Sequence, residues 1–433
     1  MLEIIGFCLA STVPNILAKE QTNLEKIEPL SWQEADIFVL PKATDSQVES
    51  IVTEYIQDLT ALGISAKNQG VWLQSDWTSL GNYRGKVPIS AASLTKVATT
   101  LGALEKWGAS HQFETLVYAA GSVKNGVLQG DLVVRGSGDP LFVWEEAIAL
   151  GNALNKLGIR QVTGNLVIVD NFYMNFKSNP AVAGSFLKVG LNSRLWSRAI
   201  RKQHVNMGGN VPQPQLAISG TVSVQNTIPA NAQLLLSHKS LTLAQILKQM
   251  NIYSNNYVAQ MLADSAGGAR IVSKIAADAA KVPPIEIQLI NGSGLGVDNR
   301  ISPRAVCAML STIDRNLKSE SLRVTDLFPV SGRDRHGTMV GRHIPSGMAV
   351  KTGTLARVSA LAGVIPTKER GLVCFAIINQ GSNVDLFRSK QDSFLQRLSR
   401  HWQVIPSFAR NNSLKNSYFG DSSRNIPIIE SQI

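Results

Sequence analysis

The tetrapeptide Ser93-Leu94-Thr95-Lys96 stands at the start of a segment whose pattern predicts a helix beginning near Ala92. Residues three apart share a helix face, so the Ser93 hydroxyl and the Lys96 ammonium should lie one turn from each other. A lysine deprotonated by burial and neighbouring cations can take the serine proton, and a helix N-terminus offers N–H groups to an oxyanion. The spacing alone is common by chance, so it becomes informative only beside other motifs.

Two further short motifs follow in the chain. Ser254-Asn255-Asn256 opens an apolar helical run, where helix capping by Ser or Asn is the simpler explanation. Lys351-Thr352-Gly353-Thr354 lies in a strand-like stretch, and its glycine permits close approach of a ligand to the strand edge. In this order, on helix, helix start and strand, the three motifs match the signature of penicillin-recognising serine acyltransferases.

The resemblance extends over about residues 40–403. The chain resembles the D-alanyl-D-alanine carboxypeptidase/endopeptidase family of low-molecular-mass penicillin-binding proteins, in which a long insertion splits the acyltransferase domain. The supporting stretches are Gly136-Ser-Gly-Asp-Pro140, Tyr253-Ser-Asn-Asn-Tyr-Val-Ala-Gln-Met-Leu262, Asn291-Gly-Ser-Gly-Leu295 with Ser302-Pro303, and Phe328-Pro-Val-Ser-Gly-Arg333 with Gly337-Thr338.

The resemblance and the patterning together imply an α+β fold, with an antiparallel sheet covered by helices and a β-rich inserted domain. Apolar periodicity predicts helices over residues 45–62, 242–262 and 384–402, and strands over 70–74, 79–83, 350–354, 360–365 and 372–379. We expect a leader over 1–39, acyltransferase segments over 40–108 and 237–405, the insertion over 109–236, and a flexible tail over 406–433.

The family implies a serine D-alanyl-D-alanine carboxypeptidase, possibly also an endopeptidase, that acts on peptidoglycan stem peptides and is acylated by β-lactams. Ser93 would attack the carbonyl between two D-alanines and Lys96 would accept its proton. Ser254 would relay a proton to the leaving amine. The oxyanion would sit between the N–H groups of Ser93 and Thr354.

The substrate-binding residues follow from the same resemblance. Asn256 would hydrogen-bond the substrate peptide, and Lys351 with Thr352 and Thr354 would hold the terminal carboxylate beside Gly353. Two ammonium groups close together should lower the pKa of Lys96.

Two departures from the family stand out. The spacing from Ser93 to Ser254 is short for a chain with two inserted subdomains, so one of them is expected to be absent or reduced. Asn291 replaces the usual acidic residue before Gly-Ser-Gly-Leu.

Three alternatives remain open. A class A β-lactamase would need a Glu-x-x-Leu-Asn loop, which is not found; an esterase of the same fold is the related case. For a non-catalytic wall-binding or β-lactam-sensing module, we would expect at least one motif residue to be missing. The six histidines are scattered without a His-Glu-x-x-His pair, so we expect no metal and no cofactor.

The charge composition and the N-terminal segment bear on where the protein acts in the cell. Lys and Arg number 42 against 31 Asp and Glu, a net charge of +11 that favours peripheral attraction to anionic wall polymers or membranes. We expect no nucleic-acid partner, although basic residues surround Trp196. The apolar segment from Ile4 to Ala18 is too short to span a membrane and lacks a positive start, but it could be a signal h-region. We expect an exported protein of the periplasm or cell envelope.

Overall fold

The structure is a computed structural model that describes residues 45–76, 78–208, 210–405 and 418–428. Its helices are α1 (Ser46–Ala61), α2 (Thr95–Trp107), α3 (Trp144–Lys156), α4 (Pro180–Gly190), α5 (Arg198–Asn206), α6 (Leu243–Tyr253), α7 (Asn256–Ser265), α8 (Ala269–Ala280), α9 (Pro303–Lys318), α10 (Val324–Leu327) and α11 (Val384–Trp402).

The strands are β1 (Gln69–Ser75), β2 (Thr78–Tyr83), β3 (Ile89–Ser90), β4 (Gln112–Lys124), β5 (Val127–Ser137), β6 (Gln161–Val162), β7 (Leu166–Asn171), β8 (Ala217–Ile218), β9 (Val222–Gln225), β10 (Gln233–Thr242), β11 (Ile287–Gln288), β12 (Arg300–Ile301), β13 (Ala349–Leu355), β14 (Val358–Thr367), β15 (Gly371–Gln380) and β16 (Asn425–Pro427).

A five-stranded antiparallel sheet forms the centre, in the order β13-β14-β15-β1-β2. β14 and β15 are buried along nearly their whole length because helices cover both faces of the sheet. One face packs against α1 and α11, through side chains such as Tyr55 and Phe394. The other face packs against α9, and α2 and α8 pack against α9 in the same apolar core. The predicted α+β fold and the strands predicted for this sheet are therefore confirmed.

Local signals explain the ends of the two outer helices. The Asp45 carboxylate accepts a hydrogen bond from Val48 N at 3.2 Å and caps α1, while the Asn383 side chain caps α11. Asp45 also accepts from Trp402 Nε1 at 3.2 Å, so the start of α1 is fastened to the end of α11. The predicted helix over 242–262 is two helices, α6 and α7, separated at Ser254 and Asn255.

The predicted insertion contains a second sheet. Its strands run in the order β16-β10-β4-β5-β6-β8, with β7 paired to β5 and β9. Within the described ranges, none of the strands that lie wholly inside 109–236 joins the central sheet. The segment is less purely β than expected, because it also holds α3, α4 and α5. Gly151 and Asn152 lie in the middle of α3, and both residue types lower helix propensity, which hid this helix from the sequence pattern.

The end of the chain also differs from expectation. We predicted a flexible tail over 406–433, but residues 418–428 include β16, which pairs antiparallel with β10. Arg424 Nη2 donates to Glu146 Oε1 on α3 at 2.6 Å and to the Tyr418 carbonyl at 3.0 Å. A three-residue strand held by a buried ion pair carries no periodicity, so apolar patterning could not predict it.

Part of the sequence lies outside the described residues, so only some of the other expectations can be compared with the structure. Cys307 and Cys374 are free and buried, and they pack as small apolar side chains. The segment from Ile4 to Ala18, with Cys8, lies outside the described residues. Across the part of the chain that is described, no helix is long and apolar enough to cross a membrane. The exact domain limits stay predictions.

Candidate active site

Ser93 lies in a tight turn that leads into α2. A single 3-10 turn, Ala92–Leu94, precedes the helix, and Ala92 has a positive φ of 47°. Gly294 packs so closely against this turn that a Cβ there would lie 1.9 Å from the Ala92 carbonyl oxygen. The turn places Ser93 at the N-terminal end of α2, where the helix was predicted to begin.

Lys96 lies one turn further along and is fully buried. Its Nζ contacts Ser93 Oγ at 3.1 Å, Asn256 Oδ1 at 2.7 Å and the Ser293 carbonyl at 2.6 Å. Burial lowers the pKa of Lys96 to about 7. We had expected crowding by a second ammonium to contribute, but burial is the cause that the structure identifies for this lysine.

The three partners of Lys96 are not equivalent. The Asn256 amide oxygen and the Ser293 carbonyl only accept hydrogen bonds, whereas the Ser93 hydroxyl can accept or donate. When Lys96 loses a proton, its two remaining N–H groups stay with the two acceptors. The lone pair is then left facing the Ser93 hydroxyl, which is the arrangement that a general base requires.

The loop that carries Ser293 is organised by Asn291. Asn291 Oδ1 accepts from Gly294 N at 2.8 Å, from Ser293 N at 3.1 Å and from Asn299 Nδ2 at 2.8 Å. The sequence marked Asn291 only as a departure from the family, and it gave no role to Ser293. A backbone carbonyl is the functional group here, and no side-chain pattern could have revealed it.

The second motif separates helix α6 from helix α7. Ser254 has a left-handed backbone with φ 50°. Asn255 caps α7, since its Oδ1 accepts from Tyr257 N at 3.0 Å and Val258 N at 3.2 Å. The capping explanation therefore holds for the middle residue alone, and Ser254 and Asn256 both line the cleft in front of Ser93.

The third motif lies on β13, the edge strand of the central sheet. The Lys351 side chain is fully buried, and its Nζ donates to Ser254 Oγ at 3.0 Å and to the Thr352 carbonyl at 2.7 Å. Burial, and next the positive charge of Lys96, hold the pKa of Lys351 well below its usual range. Gly353 lies against Ser93, because a Cβ at Gly353 would lie 3.0 Å from Ser93 N.

An open cleft of about 930 Å³ lies in front of these residues. Thr352 and Thr354 form part of its wall, and Thr352 Oγ1 hydrogen-bonds Thr338 Oγ1 at 2.7 Å. The cleft extends along α11, where the sequence suggested no site residue. All the predicted site residues thus lie in or directly behind one cleft. The lining residues are Ser93, Ser254, Asn256, Thr338, Val340, Gly341, Arg342, His343, Thr352, Thr354, Asp385, Arg388, Ser389, Asp392, Ser393 and Gln396.

The chain is similar to known proteins over most of its length. The model of the D-Ala-D-Ala carboxypeptidase 3 (S13) family matches residues 49–184 and 213–400. A relative from Haemophilus influenzae, the D-alanyl-D-alanine carboxypeptidase DacB, is 24% identical and covers 81% of this chain and 91% of its own. A D-alanyl-D-alanine carboxypeptidase from an Actinomadura species is 23% identical over 72% of this chain and 77% of its own.

Solved structures share the fold. The predatory peptidoglycan endopeptidase Bd3459 of Bdellovibrio bacteriovorus superimposes with a TM-score of 0.68 at 20% identity, over 83% of this chain and 98% of that one. A form of the same endopeptidase acylated by penicillin G, in complex with an immunity protein, gives the same TM-score at 21% identity, over 83% and 99% of the two chains. Penicillin-binding protein 4 of Haemophilus influenzae gives 0.60 at 21% identity, over 80% and 98%.

Proposed function

The chain belongs to the D-Ala-D-Ala carboxypeptidase 3 (S13) family, and we propose that it hydrolyses peptidoglycan stem peptides as a serine D-alanyl-D-alanine carboxypeptidase that β-lactams acylate. The observation that carries the proposal is the environment of Lys96. Two acceptor-only groups and the Ser93 hydroxyl surround a lysine whose pKa is about 7.

In the acylation step, Ser93 Oγ attacks the carbonyl carbon between the two terminal D-alanines. Neutral Lys96 takes the hydroxyl proton as the new C–O bond forms. The carbonyl oxygen becomes an oxyanion, for which the N–H groups of Ser93 and Thr354 are the proposed donors. The close approach of Gly353 to Ser93 supports this pairing, because it brings the edge of β13 against the start of α2.

Collapse of the intermediate breaks the C–N bond, and the leaving amine needs a proton. The proton that Lys96 took from Ser93 is the one to be delivered, and the Ser254 hydroxyl, which accepts from Lys351 Nζ at 3.0 Å, is the proposed relay. Lys96 is then neutral again. D-alanine then departs and Ser93 carries the peptide as an ester. Neutral Lys96 takes a proton from the water that attacks this ester and returns it to Ser93 Oγ as the ester bond breaks, which frees the shortened peptide.

Substrate binding is assigned to the two walls of the cleft. Asn256 presents its side chain to the peptide on one side. On the other side, Thr352 and Thr354 are proposed to hydrogen-bond the terminal carboxylate, with the Lys351 ammonium behind them. A β-lactam carries a carboxylate next to its reactive amide bond, so the same groups are proposed to hold it while Ser93 opens the ring.

The length of the cleft favours a second, endopeptidase activity. It continues past Thr354 along α11 as far as Gln396, which leaves room for a leaving group larger than one D-alanine. A cross-linked peptide has its second strand in that position. The substrate also places the protein outside the cytoplasm, so we propose an exported enzyme of the periplasm or cell envelope. Its positive net charge supports peripheral attraction to anionic wall polymers.

The test is to incubate the purified protein with muropeptides of defined cross-linking and to identify the products by mass. We expect loss of one D-alanine from linear pentapeptides, and separation of cross-linked dimers if the endopeptidase activity is present. Ser93→Ala is the control and should release nothing. Unchanged muropeptides with a folded wild-type protein would contradict the proposed function.

A further inference from the structure

Arg388 lies where the end of the substrate should lie, and no motif points to it. It is on the first turns of α11, and its Nη2 donates to Thr354 Oγ1 at 3.1 Å. Its Nη1 donates to Asp385 Oδ1 at 3.0 Å. The side chain is 40% exposed and lines the cleft, so the guanidinium can meet a ligand there.

We propose that Arg388 binds the carboxylate that follows the scissile D-alanyl bond and thereby selects substrates that carry this anion. The proposal rests on the proposed function and deepens it, because it names the charged group that recognises the leaving side of the substrate.

The lysine of the third motif is poorly suited to do this alone. Lys351 is fully buried beside a second lysine, and its Nζ already donates to Ser254 and to the Thr352 carbonyl. A buried ammonium next to another ammonium tends to lose its proton. Arginine keeps its charge at any physiological pH, and its fork of N–H groups matches the two oxygens of a carboxylate.

The hydrogen bond to Thr354 adds a second argument. Guanidinium has no acceptor, so the Thr354 hydroxyl must be the acceptor in this contact. Its own proton is then left to donate elsewhere. The Thr354 O–H and the Arg388 N–H groups together form a pair of donors on the cleft wall, next to the proposed position of the carboxylate.

The surrounding charges leave Arg388 available. Asp385 is 90% exposed, so its pair with Arg388 is weakened by solvent and a substrate carboxylate can replace it. The other acidic residue of the cleft wall, Asp392, is held by Arg342, with Nη2 at 2.7 Å, and by the His343 N–H at 2.8 Å. Asp392 is thus occupied by Arg342 and His343.

The test compares Arg388→Gln with Arg397→Gln. Arg397 is a matched control on the same helix, similarly exposed, and it pairs with Glu54 at 2.7 Å outside the cleft. Each variant is assayed with a D-alanyl-D-alanine peptide and with a thioester that lacks the carboxylate. Acylation by benzylpenicillin and by its methyl ester gives a second pair of rates that does not depend on peptidase activity.

For Arg388→Gln we expect kcat/KM to fall about 30-fold with the peptide and less than about threefold with the thioester, and the same split between benzylpenicillin and its ester. Arg388→Lys should recover part of the loss, and Arg397→Gln should behave as wild type. Equal losses for charged and neutral substrates, or no loss at all, would overturn the role of Arg388. A wild-type protein that is acylated by penicillin but cleaves no peptide would instead contradict the proposed function, and the penicillin pair would still report on Arg388.

Discussion

The surroundings of Lys96 give this side chain the properties that its proposed role as a base requires. Burial lowers its pKa to about 7, and the carbonyl of Ser293 and the amide oxygen of Asn256 hold the N–H groups that remain after deprotonation. Asn291 fixes the loop that supplies the Ser293 carbonyl. The proposed reactivity of Ser93 therefore depends on three residues, Asn256, Asn291 and Ser293, that lie more than 160 positions further along the chain.

The pH dependence of acylation follows from this pKa. Only neutral Lys96 can accept the Ser93 proton, so the rate should rise with pH and level off above about 7. Between pH 8 and pH 5 we expect the second-order rate of penicillin acylation to fall about 100-fold, or about tenfold for each pH unit below the pKa. Quenched-flow acylation measures it, with thermal unfolding recorded at each pH to confirm that the protein stays folded.

Lys96→Arg is the companion variant for that profile. It keeps a positive charge, but guanidinium cannot deprotonate in a protein, so acylation should be abolished at every pH. A flat profile in the wild type, or near-native acylation by Lys96→Arg, would rule out Lys96 as the base.

The short strand β16 is held in place by a buried ion pair and has no apolar sequence pattern that would predict it. Glu146 on α3 is fully buried, and its pKa is raised to about 7 by burial although Arg424 opposes the shift. Arg424 is buried too, and it joins β16 to α3 across the sheet of the insertion. Removing one partner of a buried pair leaves the other charge without compensation.

Arg424→Met should therefore lower the free energy of unfolding by about 3–5 kcal/mol at pH 8. The loss should be smaller at pH 5. The pKa of Glu146 is raised in the folded state, so the folded protein favours its neutral form. Stability therefore falls as the pH rises from the unfolded pKa near 4.5 through the folded pKa of about 7. Without Arg424, Glu146 destabilises the protein least when it is protonated. Denaturant unfolding at both pH values measures the difference.

The double variant Glu146→Gln/Arg424→Met controls for lost packing. Because it removes both charges, it should be more stable than the sum of the two single losses predicts. Additive losses, or a deficit that does not change with pH, would show that the ion pair does not hold β16.

Over the whole molecule, what could be predicted from the sequence was what is encoded locally. α1, α11 and β13 to β15 carry apolar patterns of the right period, and each was confirmed. The three motifs named the residues that the fold brings to one cleft, because their combination in this order is a signature although each motif alone is common by chance.

The parts that could not be predicted depend on tertiary contacts. α3 has Gly and Asn at its centre, and its apolar side chains pack in the core of the insertion. β16 is held by the ion pair between Arg424 and Glu146. The Ser293 carbonyl carries no side-chain signal. Arg388 belongs to none of the three motifs, and its position at the cleft beside Thr354 becomes visible only in the folded structure.

We propose that the acyl-enzyme forms on Ser93. The most direct measurement is incubation of the full chain with labelled penicillin, followed by intact mass and peptide mapping. We predict one label per molecule, attached within the peptide that contains Ser93 and absent from folded Ser93→Ala. Stoichiometric label on Ser93→Ala, or label mapped to Ser254 or another residue, would contradict the account.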